Sequence, residues 1–301
     1  MKRILIALAL FAPACASEAS TRADAAASAS ERTLPAADGV PIAYEIHGAG
    51  EPALVFVHGW SCDRAFWREQ LDELARDHQV VALDLPGHGS SGADRASWTI
   101  AGLADDVRAL VEGLDLQRVI LIGHSMGGPV CLEAARLLPG RAIGVIGVDT
   151  LHDAEFEMPE GWAKSFADRL DADFEHAPGE FVRSMFPESA DPALIDWTLA
   201  RMKRADRKAV IALMRDFDNV DPKGLLSAAH VPVRAINAAA TGGRTLPTAI
   251  ETNRKYADFD AVTLERVGHF LMLESPDEFN PKLRAYVDEL AASAPAAASP
   301  R

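Results

Sequence analysis

Arg118-Val-Ile-Leu-Ile-Gly123-His124-Ser125-Met126-Gly127-Gly128 is the stretch that decides how this chain is read. A run of apolar, β-branched residues enters Gly-x-Ser-x-Gly, and a helical pattern to about residue 138 follows. That is a strand, a tight turn and a helix. A serine on such a turn takes a strained backbone conformation, and the close approach of strand and helix demands glycine on both sides. The turn lifts the hydroxyl clear of the sheet edge. It also aims the N–H of Met126, at the start of the helix, toward any anion forming beside the serine. Pro129 is tolerated in the first helical turn, where its missing N–H costs little. A bare Gly-x-Ser-x-Gly is common by chance, but a strand before it and a helix after it mark a nucleophile.

Working outward, apolar runs recur at Val40 to His47, Ala53 to Val57, Gln79 to Leu83, Ala142 to Val148, Val231 to Ile236 and Ala261 to Val267. Nearly continuous runs such as Ala53-Leu-Val-Phe-Val57 predict strands buried on both faces, as in a parallel sheet. Helical patterns lie between them at about 64–76, 99–114, 248–256 and 276–291. Strand and helix in alternation mean an α/β fold. Between Asp149 and Val231 the rhythm breaks. That interval holds amphipathic stretches near 160–171, 179–186, 192–204 and 206–217, with Trp162, Phe166, Phe181, Trp197, Leu213 and Phe217 on their apolar sides. An all-helical insertion over 151–222 is the expected form of a cap above a cleft, because ligands of open α/β sheets bind at the carboxyl ends of strands.

On these residues the chain resembles the α/β-hydrolase superfamily over nearly all of 33–292. The resemblance implies a mostly parallel central sheet, helices on both faces and an inserted helical cap, with the core at 33–150 and 223–292. Val55-Phe-Val-His58-Gly59-Trp60 looks like the family's second oxyanion segment, which makes the backbone N–H of Trp60 the partner of the Met126 N–H. Asp84-Leu-Pro86-Gly87-His88-Gly89-Ser90-Ser91-Gly92 looks like a loop that shapes the cleft. A serine hydroxyl needs a base near neutral pKa, and histidine supplies one. Of nine histidines, His269 follows the last strand and precedes the terminal helix, the family position for the base.

The acid departs from the family pattern. Most relatives carry an aspartate just after the strand at 231–236, yet Ile236-Asn237-Ala-Ala-Ala-Thr241-Gly-Gly-Arg244 holds no carboxylate. Some members place the acid one strand earlier, and here that strand ends Gly147-Val148-Asp149-Thr150. Asp149 is therefore the expected acid and Asp153 the alternative. Its role is to fix the imidazole tautomer and stabilise the imidazolium.

Lys2 and Arg3, the apolar run Ile4 to Phe11, and Ala14-Cys15-Ala16 read as a signal peptide over 1–16. Cleavage would export the protein to a periplasmic or secreted location. Cleavage before Cys15 with lipid attachment is the alternative and would give a membrane tether. Residues 17–32 read as an Ala/Ser-rich tether and 293–301 as a disordered tail. Cys62 and Cys131 form no disulfide framework and read as buried side chains. The formal charge of -14 and the lack of a basic stripe argue against nucleic acid.

The reading is a serine hydrolase that cleaves a small or medium carboxylic ester through an acyl-enzyme, without metal or organic cofactor. Acyl transfer, lactone opening, C–C bond hydrolysis and perhydrolysis are alternatives on the same residues. A non-catalytic exported binding protein is the rival from another class.

Overall fold

The computed structural model describes residues 31–239 and 247–293. The expected signal peptide, nearly all of the expected tether and tail, and residues 240–244 of the acid-free stretch lie outside them. The strands are β1 (Arg32–Pro35), β2 (Pro41–His47), β3 (Ala53–Val57), β4 (Val80–Leu83), β5 (Val119–His124), β6 (Ala142–Val148), β7 (Val233–Ala238) and β8 (Phe259–Leu264). They form one sheet in the order β1-β2-β4-β3-β5-β6-β7-β8. β1 with β2 and β2 with β4 are antiparallel, and every later pairing is parallel.

The helices are α1 (Arg68–Leu74), α2 (Ile100–Gly113), α3 (Gly127–Leu137), α4 (Trp162–Ala172), α5 (Ala177–Arg183), α6 (Pro192–Met202), α7 (Arg207–Asp216), α8 (Pro222–Ala229), α9 (Ile250–Asn253), α10 (Leu271–Glu274) and α11 (Pro276–Ser293). α2, α3 and α8 pack together on one face of the sheet, and α1, α10 and α11 on the other. Covered on both sides, β3, β4 and β5 are buried along their whole length. That explains their almost wholly apolar composition. Cys62 and Cys131 are buried free thiols.

The differences from the sequence reading fall at the sheet margins. β1, an exposed edge strand, gives no alternating apolar signal, and it begins at Arg32, inside the expected tether. β7 starts after Pro232, which lacks the N–H a strand needs, and runs on to Ala238. The last strand, expected at 261–267, is β8 at 259–264. It is the opposite edge, half exposed, and the chain turns at Arg266 with φ +59°. The helix expected at 248–256 shortens to the single turn α9. α8 and α10 were not expected, and α11 runs through Ser293.

The sheet order sets where the site lies. From β3 the chain steps to β4 on one side and returns to β5 on the other, so the carboxyl ends of β3 and β5 open side by side. Val57 pairs with Gly123. Residues 58–60 and 124–126 leave the sheet together at this switch point, the place where α/β sheets gather ligands.

Candidate active site

Ser125 caps β5 with φ +52°, the left-handed region that costs a non-glycine residue about 1–3 kcal/mol. Its N–H is tied to the Val148 carbonyl of β6 at 3.0 Å, which helps hold that conformation. The flanking glycines are required by space. A methyl at Gly123 would lie 2.2 Å from the Gly127 carbonyl oxygen, and one at Gly127 would lie 2.5 Å from that of Val57. Gly59 presses on the same turn, where a Cβ would meet the Ser125 Cβ at 3.1 Å.

Two backbone N–H groups beside the serine, those of Trp60 and Met126, have no hydrogen-bond acceptor among the described residues. Met126 stands at the N-cap of α3. Trp60 is locked by its indole, whose Nε1–H donates to the Val210 carbonyl at 2.8 Å. Donors left open at a helix start and a glycine turn suit an anion.

His269 Nδ1 lies 2.5 Å from Asp149 Oδ2. A carboxylate only accepts, so the Nδ1 of His269 carries the proton and donates it, which leaves Nε2 with a free lone pair. Asp149 is almost fully buried and sits at φ +45° just past β6. Burial pushes its carboxyl up. The hydrogen bond and charge of His269, the charge of His152 and the Ala238 N–H outweigh burial, so it lies below the usual carboxylate range. The Ala238 N–H donates to Asp149 Oδ1 at 2.8 Å, and His152 Nε2 is 3.7 Å from the same oxygen. Asp153 is not brought to His269. Its carboxylate accepts the Glu155 N–H at 2.9 Å, closing a turn.

The main chain around His269 is held from three directions. Its N–H donates to the Met185 carbonyl of the helical insertion at 2.8 Å. Its carbonyl accepts from His124 Nε2 at 2.9 Å. Glu274 of α10 accepts from Gly268 N at 2.8 Å and Phe270 N at 3.0 Å, one residue to either side. The rings of His124 and His269 are 4.6 Å apart, so the residue next to Ser125 touches His269. Met185 and Glu274 escaped the sequence reading, because neither a backbone carbonyl nor a carboxylate within an apolar helix announces a partner.

The histidines in the neighbouring loops are braces. His58 donates Nδ1–H to Gly59 O at 2.8 Å and accepts from Leu85 N at 2.9 Å. His88 donates to Pro86 O at 3.1 Å and accepts from Ser61 N at 3.2 Å. The rings of His58 and His88 thus have both nitrogens satisfied in the neutral form, and burial pushes His58 down to about 4 and His88 and His124 down to about 3. Asp84 knots its loop through the N–H groups of Arg64 and Ser90, both at 2.8 Å, and an ion pair with the Arg64 guanidinium.

α4 to α7 cover this edge and are stitched to it. Besides the Trp60 and His269 contacts, Ser61 Oγ donates to Met202 O at 3.0 Å and Arg201 Nε to Asp63 Oδ2 at 2.8 Å. Trp60 packs against Phe166 and Phe181, and Trp162 extends that aromatic wall. A separate cleft of about 480 Å³ borders the His269 turn at Val267 and Glu274, and neither Ser125 nor Trp60 lines it. Among the described residues no cluster of His, Cys, Asp and Glu is arranged to hold a metal.

Comparison with known proteins agrees with this architecture. The chain matches the model of the Alpha/beta hydrolase family over residues 54–282. It is 38% identical over 108 residues, 36% of this chain, to the dihydrolipoyllysine-residue acetyltransferase component of the acetoin cleaving system of Cupriavidus necator. It is 28% identical over 258 residues, 81% of this chain, to the protein of the same name from Pseudomonas putida. The matches span 29% and 65% of those two relatives. A thermophilic esterase from Thermogutta terrifontis superposes with TM-score 0.77 at 24% identity, over 87% of this chain and all of the esterase.

Proposed function

The chain belongs to the alpha/beta hydrolase family, and from that premise we propose that it is a serine hydrolase acting on a small or medium carboxylic ester. The observation that carries the reading is the 2.5 Å hydrogen bond from His269 to Asp149 beside a serine held at positive φ. Ser125 Oγ attacks the ester carbonyl carbon while His269 Nε2 takes its proton. The oxyanion settles against the Trp60 and Met126 N–H groups. His269, as imidazolium stabilised by Asp149, then protonates the leaving alkoxide, and water activated by the same ring cleaves the acyl-enzyme.

The helical insertion acts as the cap that limits substrate size. Trp60, Phe166, Phe181 and Trp162 support an apolar acyl or alcohol group rather than a charged one. Acyl transfer is the second reading, favoured by the names of the two curated relatives. Product analysis with alcohol acceptors separates it from hydrolysis. We also propose export on the strength of residues 1–16, to be checked by the mass of the mature amino terminus.

The test of the main reading is labelling by a fluorophosphonate probe, which reports an activated serine without knowledge of the substrate. The wild type is expected to label stoichiometrically and Ser125→Ala not at all. Labelling that survives Ser125→Ala, or a folded wild type that never labels, refutes it.

A further inference from the structure

We propose that two buried asparagines, Asn237 and Asn253, are positioning residues for Asp149, acting on the loop 149–154 that carries the acid. The proposal rests on the reading of Asp149 as the acid of a serine hydrolase.

The strand end that lacks a carboxylate is not idle. Asn237, the fifth residue of β7, is fully buried. Its Oδ1 accepts the Thr150 N–H at 3.0 Å, and its Nδ2 donates to Thr248 Oγ1 at 2.9 Å. The first bond decides which way the amide faces, because a backbone N–H can only donate, and the Thr248 hydroxyl is left to accept from Nδ2. Two more bonds flank it: Asp149 N–H to Ile236 O at 2.9 Å, and Ala238 N–H to Asp149 Oδ1 at 2.8 Å. The residue carrying the acid is thus tied to β7 at its own N–H, its side chain and the next N–H.

Asn253, also fully buried, repeats the device further along the loop. Its Oδ1 accepts from Ala154 N at 2.8 Å, and its Nδ2 donates to Leu151 O at 2.8 Å. Between these anchors Asp149 and Leu151 both hold positive φ, at +45° and +57°. Left-handed non-glycine residues so close together persist only when their surroundings fix them. A buried asparagine is costly unless both ends of its amide are satisfied, and here both are. The chemistry explains the choice. At Asn237 an aspartate would keep the acceptor but set a second negative charge beside Asp149, whereas the amide holds the turn without competing for the proton of His269.

The test is a double-mutant cycle of wild type, Asn237→Ala, Asp149→Asn and the double variant. kcat and KM for p-nitrophenyl butyrate are measured on proteins whose melting curves show them folded. Asn237→Ala is expected to lower kcat by up to about 10²-fold, the effect of an ångström-scale misplacement, with KM little changed. In the Asp149→Asn background the same substitution is expected to cost less than about twofold, because the group it positions has gone. The downfield N–H proton of His269 in NMR is expected to shift or broaden in Asn237→Ala while remote resonances stay in place. Equal losses in both backgrounds, or no loss in either, overturn the proposal and assign Asn237 a packing role only. An unchanged rate in Asp149→Asn alone removes the acid, and the clamp with it, and that failure is visible in one arm of the cycle. Should Asn237→Ala not fold, Asn237→Ser, which keeps a small polar group, enters the same cycle, and Asn253→Ala must follow the same pattern.

Discussion

Asp149→Asn is the substitution whose consequence the geometry specifies most closely. The carboxylate makes two bonds of opposite destination: Oδ2 accepts from His269 Nδ1 and Oδ1 accepts from Ala238 N. An asparagine can serve only one with its oxygen. With the oxygen toward Ala238, its NH₂ meets His269, whose Nδ1 must then become the acceptor. The proton moves to Nε2, and the base is lost. With the oxygen toward His269, its NH₂ meets the buried Ala238 N–H, leaving donors face to face, at a cost of about 1–3 kcal/mol. The inactive arrangement is therefore favoured by roughly 5- to 150-fold at equilibrium. The imidazolium also forms without its counter-charge. A serine triad whose acid is neutralised loses about 10⁴ in kcat, or about 5 kcal/mol of transition-state stabilisation. Expected here is a fall of about 10³- to 10⁴-fold in kcat on a p-nitrophenyl ester at neutral pH, with KM changed less than about threefold. Because asparagine keeps the shape and one acceptor, the melting temperature should hardly move. A folded variant that retains more than about a tenth of the wild-type kcat refutes the acid role, since the wrong tautomer alone exceeds that factor for most of its range.

The buried histidines predict an acid-labile fold. His88, held neutral down to about 3 by burial, cannot take up the proton that an unfolded histidine binds below about 6.5. The unfolded state then binds more protons, so stability is full above about pH 6.5 and falls as pH drops toward 3. Urea unfolding between about pH 4.5 and 5.5 should show His88→Gln losing about 1 kcal/mol per pH unit less than wild type. Parallel slopes would contradict the assignment. Two glycines supply opposite outcomes by calorimetry. Gly179→Ala in α5, where a methyl meets nothing within 4 Å, should stabilise by about 0.5–1 kcal/mol. Gly123→Ala, with its methyl 2.2 Å from the Gly127 oxygen, should cost about 3 kcal/mol or prevent folding. Similar shifts for the two would refute the close-approach argument.

What could be read without coordinates follows from the range of each signal. The turn at Ser125 is local: strand, glycines and helix lie within about twenty residues, and Gly123 and Gly127 are needed by contacts made inside that stretch or with the end of β3. The alternation of buried strands and helices is local too, and it faded where burial faded, at the edge strands β1 and β8. The partners of the site are long-range. Asn237 next to three alanines looks like a turn former, and Asn253 like a helix end, because nothing in either neighbourhood points to Thr150 or Ala154. The proposed acid fell between the two cases. Asp149 was legible as a carboxylate at a strand end. Its separation from Asp153 required knowing that the chain turns at φ +45° and sends only the first of them toward His269.

The place of Asp149, the proposed acid, changes what the rest of the molecule must hold still. Asp149 follows the last paired residues of β6 and β7, Val148 and Ile236, and its N–H makes the final backbone bond between the two strands, to the Ile236 carbonyl; beyond it the ladder is continued by side chains. Asp149 Oδ1 takes the Ala238 N–H and Asn237 Oδ1 takes the Thr150 N–H, each in the part a strand carbonyl would play. The bonds that finish the sheet are therefore the bonds that aim the carboxylate. The helical insertion begins directly after this turn, and it returns to the site through Met185, whose carbonyl receives the His269 N–H. Asp149 and His269 are each fastened to the insertion, one at its entrance and one near its middle. A rigid swing of the whole insertion would strip the N–H of His269 of its acceptor and pull on the loop that bears Asp149. Rotation of half-buried side chains such as Trp162 and Phe181, or movement of the exposed Phe156 and Met158, leaves both fastenings in place. Admission of substrate by side-chain rearrangement under a fixed insertion is the route that keeps the proposed acid and base aligned.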